Sequence, residues 1–348
     1  MRALPRLTPR WSAWWARLSF IAVTLLTATI MLAFLDWLLF DTTLVAPRLP
    51  LKDEVSPTGK LLLADRHRDT EVLYLGDSRV QYGIDPRVVS DECACGPGFN
   101  AAFAAADPRL TRIMADRLLA KLSPRLVVIG VSQWELSDSA DIHVWGPAPE
   151  LVAPWRWPEF GVTIDGPAAA REVLGDAWRT YKYRAALRVA LDPWSPDAGE
   201  TDRQRGFDVY RSRRRVGEQD LAERHGQWFT NYSLRGRRAE ALRGLVADLR
   251  RRGIDILLVA PPLYPGFQGR VRHEVEMFHM TISELASEHG AVFADLTEPS
   301  RSGLTGDDFL DVVHLTEEGT TEFSRQVARE IRSHFGSRPA DATLRGPR

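Results

Sequence analysis

Only two cysteines occur in the 348-residue chain, Cys93 and Cys95 in "DECACGPG". A lone Cys-x-Cys pair does not supply the four ligands of a structural zinc site. A bridge between its members would close too small a loop to gain much. The pair is read as small residues beside a turn, with a bridge as the lesser alternative. An excess of one charge is also lacking, since the formal balance is −1. No global field favours nucleic acid, and none is expected as a partner. No internal repeat is present. His273 and His279 lie about 240° apart around a helix axis, so they share no face and suggest no metal site.

What the chain does have is one long apolar run near its start. "LSFIAVTLLTATIMLAFL" (18–35) carries no charge, and "DWLLF" continues it to Phe40. At the helical rise this stretch reaches roughly 34 Å, enough to cross a bilayer core. Arg2, Arg6, Arg10 and Arg17 precede it, without an acid among them. The positive-inside rule puts residues 1–17 in the cytoplasm, 18–40 in a bacterial-type cell membrane and the rest outside. Trp11, Trp14, Trp15 and Trp37 flank the run as interfacial indoles. A cleaved signal peptide is the alternative, but the run is longer than such segments and no small-x-small site follows closely.

Residues 41–69 read as a polar, Pro-containing connector, and 70–335 as one strand–helix domain. Strands are expected in "EVLYL" (71–75), "RLVVIG" (125–130), "IDILLVAPP" (254–262) and "AVFADL" (291–296). Helices are expected over 107–124, with Asp107 as N-cap and Pro108 at the first position, and over 237–253, 275–290 and 316–336. Uniformly apolar strands alternating with helices indicate a parallel sheet covered on both faces. Between them, 140–230 breaks the rhythm with Trp145, Trp155, Trp157, Trp178, Trp194 and Trp228. It reads as an insertion whose tryptophans are core more than glycan platforms. Arg211, Arg213, Arg214 and Arg215 read as a solvated face, with an acidic polymer as the alternative. Residues 336–348 read as a disordered tail.

Ligands of parallel sheets bind at the strands' carboxyl ends. Gly76-Asp77-Ser78, Gly130-Val131-Ser132-Gln133 and Pro261-Pro262 fall there. "DFLDVVHLTEEG" adds Asp311 three residues before His314, just ahead of the last helix. A carboxylate so placed can orient an imidazole, which can then take a proton from a serine hydroxyl. Either motif alone is ordinary turn or cap chemistry. Together, at opposite ends of an α/β pattern, they suggest a nucleophile and its base.

These motifs resemble the SGNH/GDSL hydrolase superfamily. "GDSRVQYGIDP" matches its first block, "GFNAAFAAADP" (98–108) its second, "VIGVSQWEL" (128–136) its third and "DVVHLTEEG" its last. The resemblance implies a flavodoxin-like three-layer α/β/α sandwich and a triad of Ser78, His314 and Asp311. Asn100, Ser132 and Gln133 become oxyanion candidates, although the third block lacks its usual asparagine and the second replaces glycine with alanine. Asp77 is expected to shape the turn. Arg79 is read as solvated or ion-paired, with an anionic substrate as the alternative. The single anchor resembles the envelope acyl-transfer branch, including the proteins of alginate acetylation and of teichoic acid D-alanylation. That likeness implies transfer to a cell-envelope glycan or other acceptor, a membrane-bound O-acyltransferase as partner, and no cofactor or metal. An esterase with the same triad and a non-catalytic polysaccharide-binding protein remain the alternatives.

Overall fold

Apolar runs bounded by glycine and proline become the strands. The structure, a computed structural model, describes residues 9–40, 56–140, 151–161, 166, 175, 178–182, 204–210 and 218–336. The strands are β1 (Val72–Leu75), β2 (Gly98–Asn100), β3 (Leu126–Gly130), β4 (Asp255–Ala260) and β5 (Val292–Asp295). All pair in parallel, in the order β2-β1-β3-β4-β5. This is the flavodoxin-like order, with its switch point between β1 and β3.

The strand period sends alternate side chains to two cores. Leu73, Leu75, Val127, Ile129 and Leu258 face one side. There they meet α2 (Pro57–Leu63), α5 (Pro108–Leu119), α7 (Arg237–Arg251) and α8 (Arg272–His289). Tyr74, Val128, Leu257 and Val259 face the other. That side is covered by α3 (Ser78–Gln81), α4 (Pro86–Cys93) and α9 (Glu317–Phe335). The three layers are those expected. The helix limits follow their caps: the Asp107 carboxylate accepts from the Arg109 and Leu110 amides, Gly290 ends α8 at φ 61°, and Thr316 caps α9. A third apolar cluster, with Trp134, Leu263, Phe267, Val312 and α6 (Glu218–Phe229), adjoins the loop that carries Val313.

Several expectations change. The connector is not wholly polar linker, because 57–63 is a helix whose Lys60 is fully buried. β2 was not anticipated, being only three residues long. Cys93 and Cys95 are joined as a disulfide, their Cα atoms 5.1 Å apart at the end of α4. The left-handed Ala94 between them lets the chain turn tightly enough to bring them together. Trp157 and Trp228 are buried, whereas Trp155 is exposed. Trp145, Trp194, the arginines at 211 and 213–215, residues 41–55 and the tail beyond Gly336 lie outside the described residues. Helix α1 (Pro9–Phe40) includes a span, Arg17–Leu38, long and apolar enough to cross a membrane.

Two glycines set the ground under the first motif. Val80 of α3 packs so closely that a Cβ on Gly130 would lie 2.0 Å from its Cγ2, and one on Gly76 would lie 2.7 Å away. Gly76 also adopts φ 145°, a conformation that side chains resist. Gly130→Ala in the full chain is therefore expected to cost about 1–3 kcal/mol through overpacking. Adding Val80→Ala is expected to recover part of that loss in melting experiments. Strict additivity in the double-mutant cycle would contradict the contact.

Candidate active site

The chain leaves β1 through Gly76, turns at Asp77 and opens α3 on Ser78. Asp77 caps that helix, its Oδ1 accepting from the Arg79 amide at 2.9 Å. Ser78 thus stands at the carboxyl end of β1, partly exposed. His314 comes from the loop ahead of α9. Leu310 donates its amide to the His314 carbonyl at 2.8 Å, and Phe309 bridges Leu315. The Asp311 Oδ1 accepts from the amides of Val313 and His314 at 2.9 and 2.8 Å. These bonds close a tight loop that aims the carboxylate at its own histidine.

The three side chains form a relay. His314 Nδ1 lies 2.7 Å from Asp311 Oδ2, and His314 Nε2 lies 2.9 Å from Ser78 Oγ. Burial would raise the Asp311 pKa, but the hydrogen bond and charge of His314, with the two amides, hold it below the usual carboxylate value. Asp311 is then an acceptor, so His314 donates from Nδ1 and accepts the Ser78 hydroxyl proton at Nε2. Sequence separation of 236 residues is bridged because both groups hang from the same edge of the sheet. Ser78, Tyr82, Pro261, Pro262, Val313 and His314 line a shallow depression at this end of the sheet.

The other sequence candidates sit elsewhere. Asn100 is fully buried, and its Nδ2 donates to the carbonyls of Val80 and Ile84, both at 2.8 Å. Its Oδ1 accepts the Ala102 amide at 3.1 Å. Ser132 donates its hydroxyl to Asp77 Oδ2 at 2.9 Å, and Gln133 donates Nε2 to Thr297 at 2.9 Å. Asn100 and Ser132 therefore spend their side-chain donors on the protein itself, against the oxyanion expectation, and Gln133 spends one of its two. Within the alanine run, the Ala101 and Phe103 amides go to the carbonyls of Tyr74 and Gly76. Arg79 is buried, not solvated, 3.5 Å from Asp77 and with its guanidinium 4.4 Å from the Trp134 ring centroid.

Behind Ser78 the sequence hid a second acid. Glu135 is buried and accepts the Ser132 amide at 3.1 Å. Burial, with the negative charge of Asp77 beside it, pushes its pKa well above the usual value. For Asp77 burial acts the same way. The Arg79 guanidinium outweighs it, together with hydrogen bonds from Glu135, Ser132 and the Arg79 amide, so the Asp77 pKa is lowered. The two acids thus lean in opposite directions, Glu135 toward its neutral form and Asp77 toward its charged form, beside one buried arginine. Sequence reasoning also missed Tyr82 and Tyr210. The Tyr210 ring stacks on His314 with centroids 4.1 Å apart at 22°. Tyr82 approaches His314 edge-on at 5.9 Å. Tyr82 lies one helical turn after Ser78, a spacing that points to a shared face, whereas nothing near Tyr210 signals its place.

No protein-family model matches the chain, and no curated protein matches it. Solved structures do. A candidate lipolytic protein of the G-D-S-L family from Desulfitobacterium hafniense is similar at 14% identity, covering 75% of this chain and 98% of that one, with a TM-score of 0.36. A catalytic mutant of an acetylxylan esterase from Geobacillus stearothermophilus is similar at 15% identity, over 75% and 93% of the two chains, TM-score 0.39. A family two carbohydrate esterase from Clostridium thermocellum, solved with cellohexaose, is similar at 9% identity, over 78% and 66%, TM-score 0.37.

The acid pair makes a pH-dependent expectation. The unfolded chain loses the Glu135 proton near the usual value of 4.5, while the folded chain keeps it above that pH. The folded state then holds more protons, so this group's contribution falls as pH rises above the usual value. Asp77, with its lowered pKa, is ionised in both states there and adds no slope. Glu135→Gln removes the titrating proton, keeps an acceptor for the Ser132 amide and is expected to flatten the melting temperature above that pH. Glu135→Leu strands the Ser132 amide and is expected to cost about 1–3 kcal/mol. An unchanged slope in Glu135→Gln would contradict a neutral Glu135.

Proposed function

We propose that the chain is a membrane-anchored, extracytoplasmic serine O-acyltransferase of SGNH type. It moves a small acyl group, acetyl foremost, onto a hydroxyl of a cell-envelope or exported polysaccharide. The observation that carries this reading is the unbroken relay from Asp311 through His314 to Ser78. A protein that only binds glycan has no use for such a relay. The apolar span Arg17–Leu38, with arginines ahead of it, supports an anchor with its amino end in the cytoplasm. A membrane-bound O-acyltransferase is the proposed supplier of the acyl group.

His314, oriented by Asp311, takes the Ser78 proton as Oγ attacks the carbonyl carbon of an acyl ester. The donor's alkoxide leaves with that proton, and the acyl group remains on Ser78. An acceptor hydroxyl then gives its proton to His314 and attacks the acyl carbon, and the proton returns to Ser78 Oγ. The negative oxygen formed in each step needs donors. With the side-chain donors of Asn100 and Ser132 committed, the donor supported here is the Ser78 amide, which as the first residue of α3 has no helical acceptor.

Water as acceptor turns the same steps into ester hydrolysis, so both outcomes share one first test. The full chain is assayed with p-nitrophenyl acetate. Ser78→Ala and His314→Ala are each expected to lower turnover at least about 10⁴-fold, and Asp311→Asn by about 10⁴. Turnover retained in folded Ser78→Ala would sink the proposal.

A further inference from the structure

The segment 204–210 belongs to the insertion, yet it is bolted to the sheet. β2 is the edge strand, and its Asn100 amide donates to the Arg205 carbonyl at 2.9 Å. The Arg205 guanidinium donates to the Gly98 carbonyl and pairs with Asp69 at 2.8 Å. From α2, buried Lys60 donates to the carbonyls of Asn100 and Gly206. Gly206, at φ 85°, allows this approach, since a Cβ there would lie 2.2 Å from the Asn100 oxygen. Phe207 is buried behind it. Such anchorage is more than a surface loop needs, and four residues past Gly206 the segment delivers Tyr210 onto His314.

The Tyr210 ring covers one face of the imidazole, 4.1 Å away. Tyr82 meets Tyr210 at 5.1 Å, so the two rings make an aromatic wall beside the base. Both side chains remain partly exposed. Such a wall does two things. It removes water from the flank of His314, and it offers apolar area to the carbon face of an acceptor. Water gains nothing from the second. Contacts made only by a carbon skeleton raise its share of the reaction over that of water.

We propose that Tyr210 is a specificity-determining residue, which directs the acyl group on Ser78 to the hydroxyl of a carbon-framed acceptor such as a sugar rather than to water. The inference rests on the acyl-serine reading above. In the step concerned, the bond from Ser78 Oγ to the acyl carbon breaks and one from the acceptor oxygen forms. The acceptor proton passes through His314 to Ser78. The acyl donor is an ester.

The full chain in detergent is given p-nitrophenyl acetate as donor and glycerol as acceptor, and glyceryl acetate and free acetate are both quantified. Once the acetate and glyceryl acetate formed without enzyme are subtracted, their ratio does not depend on how many molecules are folded or how fast Ser78 is acylated. Tyr210→Ala is expected to lower the ratio at least fivefold, on the order of 1 kcal/mol. Tyr210→Phe, which keeps the ring, is expected to stay within twofold of wild type. An unchanged ratio in Tyr210→Ala, an equal loss in Tyr210→Phe, or no glyceryl acetate from wild type would each overturn the proposal. Intact mass separates the two levels of failure. A wild-type acetyl adduct with an unmoved ratio faults Tyr210 alone, whereas the absence of any adduct faults the acyl-serine reading and the inference with it.

Discussion

Asn100 is the knot to which the rest of the site is tied. Its side-chain amide holds the carbonyls of Val80 and Ile84, and so fixes the turn that begins with Ser78. Its own amide holds Arg205, and its carbonyl receives Lys60. One fully buried residue on a three-residue edge strand therefore joins the Ser78 helix, the α2 helix and the insertion segment that carries Tyr210. Each buried polar group in this knot would cost about 1–3 kcal/mol if left without its partner. That cost gives the cluster one arrangement, and the arrangement positions Ser78 and Tyr210 together.

Around Ser78 two acids are set in opposite states by their surroundings. Asp311 sits among amides and beside an imidazole, which favour its charge. Glu135 is buried beside the charge of Asp77, and both oppose its ionisation. The first state is what a histidine base needs, because a carboxylate can hold the ring and stabilise its protonated form. The second leaves Glu135 as an uncharged neighbour of the residue that caps the Ser78 helix, holding the Ser132 amide. Its effect is on position: Asp77, Ser132, Arg79 and Trp134 brace the turn from beneath. Similar side chains thus do different work because burial and neighbours differ.

The sheet was largely legible because its strands are continuous apolar runs with glycine or proline at their ends. "LVVIG" and "ILLVA" admit few other readings, and Asp107, Thr316 and Gly290 marked their helix ends by ordinary cap chemistry. Ser78, Asp311 and His314 were legible as types, and the fold brings them to hydrogen-bond distance. β2 was not, since three residues carry no period. Asn100 misled because an amide that binds an oxyanion and one that binds backbone carbonyls look identical in sequence. What separates them is contact with residues 16 and 20 positions away. Lys60 misled similarly, as a lysine in a polar stretch says nothing of the two carbonyls that bury it. Tyr210 was beyond reach, because its meaning depends on a segment folding back over a loop that comes about a hundred residues later.

The central claim is that Ser78 itself carries the acyl group. The most direct measurement is peptide mapping of the full chain, quenched in acid shortly after exposure to an activated acetyl ester, with His314→Ala beside it. The account predicts one acetylated peptide in wild type, the one containing Gly76-Asp77-Ser78, with the modification on Ser78 and none in the variant. Acetyl found only on lysines or the amino terminus, at equal levels in both proteins, would contradict it.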